Sequence, residues 1–188
     1  MHLLTAEKIA VFRGERLVLN GISFSLDAGG FLLLRGANGA GKSTLLRALA
    51  GLTPICAGAL LWDGAPALAD ACAHAQRVAW LGHLDAIKPA LTAAEHVPVA
   101  ALAAVGLEKF AALPARLLSA GQKRRLAIAR VVAANRVLWL LDEPTTGLDA
   151  AAVARFAALC AAHRAAGGMI AASTHTPLEV ADTQELTL

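Results

Sequence analysis

The sequence predicts an α/β fold: a mostly parallel sheet with an antiparallel β edge and a short helical insert. Three observations carry this. A glycine-rich stretch, GANGAGKST, lies between an apolar strand and a helix; the unbroken apolar run Val137 to Leu141 ends in Asp142-Glu143; and Met169 to Ser173 forms another apolar run one helix further on. Apolar runs alternating with helical stretches are what a sheet covered on both faces requires.

The glycine-rich stretch comes first because the rest is arranged around it. Gly36 to Thr44 matches G-x-x-x-x-G-K-[ST] in full, after the strand Phe31 to Leu34 and before a helix from Ser43 to Leu49. In such a loop the glycines bring backbone N–H groups close to phosphate oxygens, and the helix N-terminus adds partial positive charge. The expected cofactor-binding residues are therefore Gly36, Ala37, Asn38, Gly39, Ala40, Gly41, Lys42, Ser43 and Thr44. Lys42 would reach the β- and γ-phosphates and the Ser43 hydroxyl would bind Mg²⁺.

Composition bounds the rest. With 188 residues the chain is expected to form one domain, residues 1–188, large enough for a real core. The net charge of +3 and pI near 9.0 are mild, and no Lys/Arg run of the nucleic-acid-binding kind is present. Three cysteines, Cys56, Cys72 and Cys160, are odd in number and far apart, which argues against a disulfide framework and for a reducing compartment. Cys72 and His74 are too few for a metal cluster. The amino terminus lacks the order of a signal peptide and no apolar run reaches ~18 residues, so a cytoplasmic protein is expected. Hydrophobic residues at 57% and a mean hydropathy of +0.57 fit either a partner-covered surface or simple alanine richness.

In chain order, Ile9 to Phe12 and Ile22 to Leu26 read as strands around a polar turn at Arg13 to Arg16, the second half-exposed by its alternation. Gly58 to Gly64 reads as a strand entering an Asp-Gly turn, and Arg77 to Gly82 as another strand, with His83 directly after it. A helical insert spans about 84–134. Thr92 and Glu95 form a capping box, Pro98 interrupts the helix they begin, a second helix runs from Val99 to Val105 before Gly106, and a third reaches toward Pro114.

LSAGQ, Leu118 to Gln122, is a second phosphate-seeking loop: Ser119 can cap a helix from Gln122 to Ala134, and Gly121 leaves its N–H groups open. The cluster Lys123, Arg124, Arg125 reads as a solvated helix face. Asp142 sits where it would organise a Mg²⁺ shell and Glu143 where it would accept a proton from water. Asp149 caps a helix that ends before Gly167, with Phe156, Leu159 and Cys160 buried and Arg155 and Arg164 toward water. His175 follows the strand Met169 to Ser173, a place for a γ-phosphate contact. Leu178 to Leu188 reads as a short closing helix and strand.

GANGAGKST, LSAGQ, WLLDEP, GLDA and STH, in this order over nearly the whole chain, resemble the nucleotide-binding subunits of ATP-binding-cassette (ABC) transporters, which have a RecA-like core. The resemblance implies that Gly36 to Thr44 are Walker A, Leu118 to Gln122 the signature, and Asp142 and Glu143 Walker B with its catalytic carboxylate. Asp149 falls in the D-loop, and His175 is the switch histidine. It further implies a homodimer sandwiching ATP, each site taking Walker A from one copy and Ser119, Gly121 and Gln122 from the other. Such subunits usually carry a glutamine at the lid position where this chain has His83, and an aromatic that stacks on adenine where Arg13 falls in line beside Phe12; either side chain can stack on a purine.

FRGERLVLNGISF, LGHLDAIKPALTAAE, LSAGQKRRLAIAR, LWLLDEPTTGLD, AAHRAAGG and STHTPL together are similar to the CcmA family, the ATP-binding subunits of the haem exporter of cytochrome c maturation, in which a histidine at the position of His83 is usual. This implies peripheral attachment to the cytoplasmic face of the bacterial inner membrane, on a membrane subunit of CcmB type with CcmC and CcmD. ATP hydrolysis would serve release of the haem-loaded chaperone CcmE. The insert is shorter than usual for the family around Glu95 to Ala100, at the surface where the family docks its membrane subunit. The alternatives are the ATPase of another ABC transporter and a weakly hydrolysing regulatory subunit.

Overall fold

The computed structural model describes residues 3–174 and 180–188. These described residues form two sheets. The first is antiparallel, in the order β2-β1-β4-β5, from β1 (Leu3–Arg13), β2 (Arg16–Asp27), β4 (Ala57–Trp62) and β5 (Ala65–Pro66). The second is parallel throughout, in the order β6-β7-β8-β3-β9, from β3 (Phe31–Arg35), β6 (Val78–Leu81), β7 (Leu138–Asp142), β8 (Met169–Ser173) and β9 (Thr183–Thr187). The helices are α1 (Lys42–Leu49), α2 (Ala71–Ala75), α3 (Ala93–His96), α4 (Val99–Ala104), α5 (Ala120–Ala134) and α6 (Ala150–Ala165).

Strand periodicity decides how these layers stack. Leu32, Leu34, Leu138, Leu140, Met169 and Ala171 face one side and pack with Leu45, Leu46 and Leu49 of α1 and with Leu4, Ile9 and Leu26 of the antiparallel sheet. Phe31, Leu33, Trp139, Leu141, Ile170 and Ala172 face the other, against Leu126 and Ile128 of α5, Phe156 and Cys160 of α6, and Leu102 and Leu107 of the insert. Every residue of β7 and β8 is buried. A strand covered on both faces must be apolar at every position, which is why these runs show no alternation. Helix α1 is thus held between two sheets, its N-terminus at the carboxyl ends of the parallel strands.

The first hairpin is longer than its pattern predicts. Its strands extend to Leu3 and Asp27, because a bulge shifts the register between Ala6 and Ile9 and between Glu7 and Ala10, with Lys8 at φ 47°. A bulge breaks the period of two and hides the strand from a pattern reading. In the insert the capping box is formed: Thr92 Oγ1 accepts from Glu95 N and Glu95 Oε2 accepts from Thr92 N at 2.7 Å. These bonds to Thr92 hold the Glu95 carboxyl below its usual range. Pro98 divides α3 from α4 as expected. The expected third helix is only a 3₁₀ turn, Glu108–Phe110, followed by another at Ala115–Leu117; the stretch between them is tied back by Ala94 N donating to Ala111 O and Ala93 N to Leu113 O, which takes the carbonyls a continuing helix would use. Helix α5 begins at Ala120, two residues before its expected start, because Ser119 itself is the cap.

Arg164 is not turned to water. Its guanidinium donates to Gly29 O at 2.7 Å, Ala181 O and Asp182 O, and lies over the Phe31 ring, tying the end of α6 to the start of β3 and to the residues before β9. The closing strand is β9; the expected closing helix falls partly on residues outside those described.

One histidine is buried in the core and a second is half-buried against a core tryptophan. His74 Nδ1 accepts from Trp62 Nε1 at 3.0 Å while Nε2 lies 2.8 Å from Leu49 O, so the neutral Nε2–H tautomer satisfies both contacts. His163 stacks on Trp139 with ring centroids 4.0 Å apart, and a Cβ on Gly168 would come within 2.2 Å of its imidazole. Burial lowers the pKa of both histidines. A folded-state pKa below the unfolded value leaves stability intact above roughly pH 6.5 and erodes it as pH falls, by up to about 1.4 kcal/mol per pH unit for each histidine. Urea unfolding is therefore expected to give a lower stability at pH 5.5 than at pH 7.5. His163→Phe, which keeps the stacked ring, is expected to reduce the difference; equal wild-type stability at the two pH values would dismiss this account.

Candidate functional site

The loop from Gly36 to Gly41 leaves β3 and enters α1. Gly41 is the N-cap at φ 110° with no side-chain cap, and its carbonyl accepts from Leu45 N at 2.8 Å. A Cβ there would stand 2.7 Å from Leu19 Cδ2, and one on Gly36, at φ 134°, 2.7 Å from Leu188 O. The loop is pressed between β2 and the end of the chain, and only glycine combines these dihedrals with this clearance. Lys42 is buried, with Nζ donating to Gly36 O at 2.8 Å and Ala37 O at 3.1 Å, so the ammonium lies across the loop's own start.

The neighbouring wall is the end of β7. Asp142 Oδ1 accepts from Ser43 Oγ at 3.0 Å and from Ser173 Oγ, at the end of β8, at 2.8 Å. Glu143 follows with φ 50°, and its N–H donates to Ser173 at both O and Oγ, 3.1 and 3.2 Å away. A non-glycine residue in this left-handed region costs of order 1 to 3 kcal/mol and persists only where its surroundings hold it.

Between the two walls is a cleft of about 620 Å³ lined by Asn38, Gly39, Gly41, Lys42, Ser43, Thr44, His83, Asp142, Glu143 and Thr146, and by Arg13, Arg16 and Val18 from the first hairpin. The structure thus brings the loop, His83 and the acidic pair together. Gly36 and Ala37 contribute carbonyls behind the cleft. Ala40 sits in the loop, its N–H donating to Ala37 O. Arg13 and Arg16 line the cleft, whereas Phe12, about half exposed, is not among its lining residues. His175 lies outside the described residues.

Ser119, Gly121 and Gln122 are not among the residues lining this cleft. They form a capping box, Ser119 Oγ accepting from Gln122 N and Gln122 Oε1 accepting from Ser119 N at 2.8 Å, so the Gln122 side chain is engaged in its own helix. Ser119 is exposed, and a Cβ on Gly121 would meet Gly147 O at 3.0 Å, placing the signature loop beside the segment before Asp149. Asp149 caps α6 by accepting from Ala152 N at 2.7 Å.

Of the basic cluster expected in solvent, Arg124 is buried, 5% exposed. It donates from Nε to Pro144 O, from Nη1 to Gly82 O and to Asp85 Oδ1 at 2.8 Å, and from Nη2 to Asp142 O and Glu143 O at 2.8 and 2.6 Å. Arg125 is half-buried against Val105 O and Gly106 O. A three-residue run of cations carries no period from which to pick the inward one, so sequence reasoning missed Arg124. It missed Ser173 too; a hydroxyl closing an apolar strand beside an acidic one is the signal that could have found it.

The cysteines take no part. Cys56 and Cys72 are exposed, and burial pushes the Cys160 thiol up to about 12, leaving it protonated. His74 has both nitrogens committed, so it is not a ligand with Cys72. Among the described residues no cluster of three or more His, Cys, Asp or Glu could hold a metal, and no helix is long and apolar enough to cross a membrane.

A glycine loop capping a helix, facing a strand-end aspartate across a polar cleft, defines a phosphate-loop nucleotide-binding protein. The ABC transporter family model matches residues 19–146. The cytochrome c biogenesis ATP-binding export protein CcmA of Gluconobacter oxydans is 48% identical over 97% of this chain and 86% of its own length, and that of Paramagnetospirillum magneticum 46% identical over 98% and 93%. A solved ATP-binding subunit of an ABC transporter superposes with a TM-score of 0.83 at 26% identity, covering 92% of this chain and 79% of its own. The chain belongs to the ABC transporter family and, within it, to the cytochrome c biogenesis ATP-binding export proteins CcmA.

The loop geometry has a measurable cost. Gly41→Ala is expected to lose more stability than Gly39→Ala, because both pay for a positive φ, about 1 to 3 kcal/mol, but a Cβ on Gly39 meets nothing within 4 Å. Urea unfolding of the two variants checks the order; equal losses would mean that contact with Leu19 does not shape the loop.

Proposed function

We propose that this chain is the ATP-hydrolysing subunit of the ABC complex of cytochrome c maturation. The observation that carries the reading is the Ser43–Asp142 contact at 3.0 Å, which brings the phosphate loop and the acidic strand end, 99 residues apart, into one cleft with Glu143. The CcmA relatives support the pathway. By that resemblance the chain works as a homodimer on the cytoplasmic face of the bacterial inner membrane, on a CcmB-type membrane subunit with CcmC and CcmD, and the energy released serves haem handling.

The domain is the whole chain, 1–188, with the insert at about 84–134. The residues in the cleft fit Mg²⁺·ATP: Ser43 Oγ and Asp142 Oδ1 are hard oxygen donors side by side, as Mg²⁺ requires. When bound, the ion would neutralise charge on the β- and γ-phosphates. Lys42 and the loop N–H groups from Gly36 to Thr44 hold the triphosphate. Glu143 accepts a proton from the attacking water as its oxygen bonds to the γ-phosphorus and the bond to the β-γ bridging oxygen breaks, giving ADP and phosphate. By the family resemblance His175 contacts the γ-phosphate, His83 takes the lid position whose usual glutamine contacts Mg²⁺, and Ser119, Gly121 and Gln122 of the other copy close the site. The exposure of Ser119 and its position away from its own chain's cleft support that division.

Glu143→Gln is expected to lower ATP turnover by about 10² to 10⁴-fold while retaining ATP binding and favouring the dimer. Phosphate release, nucleotide binding and sedimentation measure these in turn; unchanged hydrolysis would remove Glu143 from the mechanism.

A further inference from the structure

Arg124 combines burial, complete hydrogen bonding and a position between two parts of the machinery. Every N–H of its guanidinium donates: to three consecutive carbonyls at Asp142, Glu143 and Pro144, to Gly82 O, and to the Asp85 carboxylate. Its ion pair is with Asp85, whose side chain is 27% exposed. The three carbonyls flank the left-handed Glu143 at φ 50°, so the clamp opposes relaxation of that backbone. Gly82 and Asp85 bracket His83, whose imidazole lines the same cleft. One side chain therefore fixes the two backbones that carry Glu143 and His83. It also sits on α5, about 7.5 Å along the axis from Ser119 at ~1.5 Å per residue, inside the helix whose capped end the proposed function assigns to the other copy's site.

We propose that Arg124 is a positioning residue that holds Glu143 and His83 in one geometry and links them to the signature helix, so that engagement of that helix by the partner's nucleotide is felt at its own chain's reacting carboxylate. This rests on the split-site reading above. Lysine cannot replace it, because a point charge with fewer, unforked donors cannot span carbonyls on both sides.

The test is steady-state ATP hydrolysis by the purified wild-type chain, Arg124→Lys and Asp85→Asn, with nucleotide binding and thermal unfolding measured alongside. For Arg124→Lys the expected result is at least a tenfold fall in kcat, ATP affinity within about threefold of wild type, and a Hill coefficient for ATP that drops toward 1. Asp85→Asn removes the charge but keeps an acceptor, and is expected to show the same split at smaller size; it keeps the proposal testable should Arg124→Lys fail to fold. Wild-type kcat in folded Arg124→Lys, or kcat and affinity falling together in proportion to lost folding, would overturn positioning. Reduced kcat with an unchanged Hill coefficient would overturn the link to the other site. A wild-type chain without any turnover would instead count against the hydrolytic function itself.

Discussion

The whole site depends on where α1 begins. A helix cannot bury its polar N-terminus without partners, and here that end is placed at the carboxyl edge of a sheet whose central strands are buried on both faces. The Ser43 hydroxyl donates to Asp142 across that edge, and Ser173 donates to the same oxygen. One carboxylate thereby joins α1, β7 and β8. Leu45, Leu46 and Leu49, packed between the two sheets, give the helix no freedom to slide away from it. The polar contact sets the register and the apolar burial on either side supplies the rigidity.

What the sequence reveals follows from how local each constraint is. The phosphate loop, the two-sided strands and the Thr92–Glu95 cap are decided within a few neighbouring residues, so they can be read directly. The start of β1 cannot, because a bulge at Lys8 erases its alternation. The third insert helix failed as an expectation for the opposite reason: its local pattern is helical enough, but hydrogen bonds from Ala93 and Ala94 of the first insert helix claim the carbonyls of Leu113 and Ala111 that a helix would use. Arg124 and Arg164 were misjudged together. Arg124 sits in a basic run and Arg164 on a helix face that both look solvated, and both are drawn inward by clusters of carbonyls contributed from 17 or more residues away. Carbonyl clusters of that kind are created by topology and leave no trace in composition.

The insert illustrates how short helical pieces can hold together through packing. Pro98 prevents a long helix, yet Leu102, Val105 and Leu107 remain buried against α5, and the Arg125 guanidinium closes the end of α4 through Val105 O and Gly106 O. Packing on α5 therefore replaces helix length as the source of order. The same helix presents its Ser119 end to solvent and holds the backbone of Asp142 and Glu143 through Arg124, so the insert, the Ser119 loop and the acidic strand end share one support.

That sharing explains why a buried cation is tolerated at all. A guanidinium removed from water loses solvation that a single carboxylate rarely restores, and an apolar side chain would serve packing as well or better. Arg124 is offset by carbonyl dipoles at Asp142, Glu143, Pro144 and Gly82 as well as by Asp85, which is a costly arrangement to assemble for stability alone. Three of those carbonyls lie at and on either side of Glu143, which is held at positive φ, and the fourth, on Gly82, directly precedes His83, so the guanidinium restrains both backbones where they border the cleft. An arginine there makes physical sense if fixing those displacements matters more than the stability forgone.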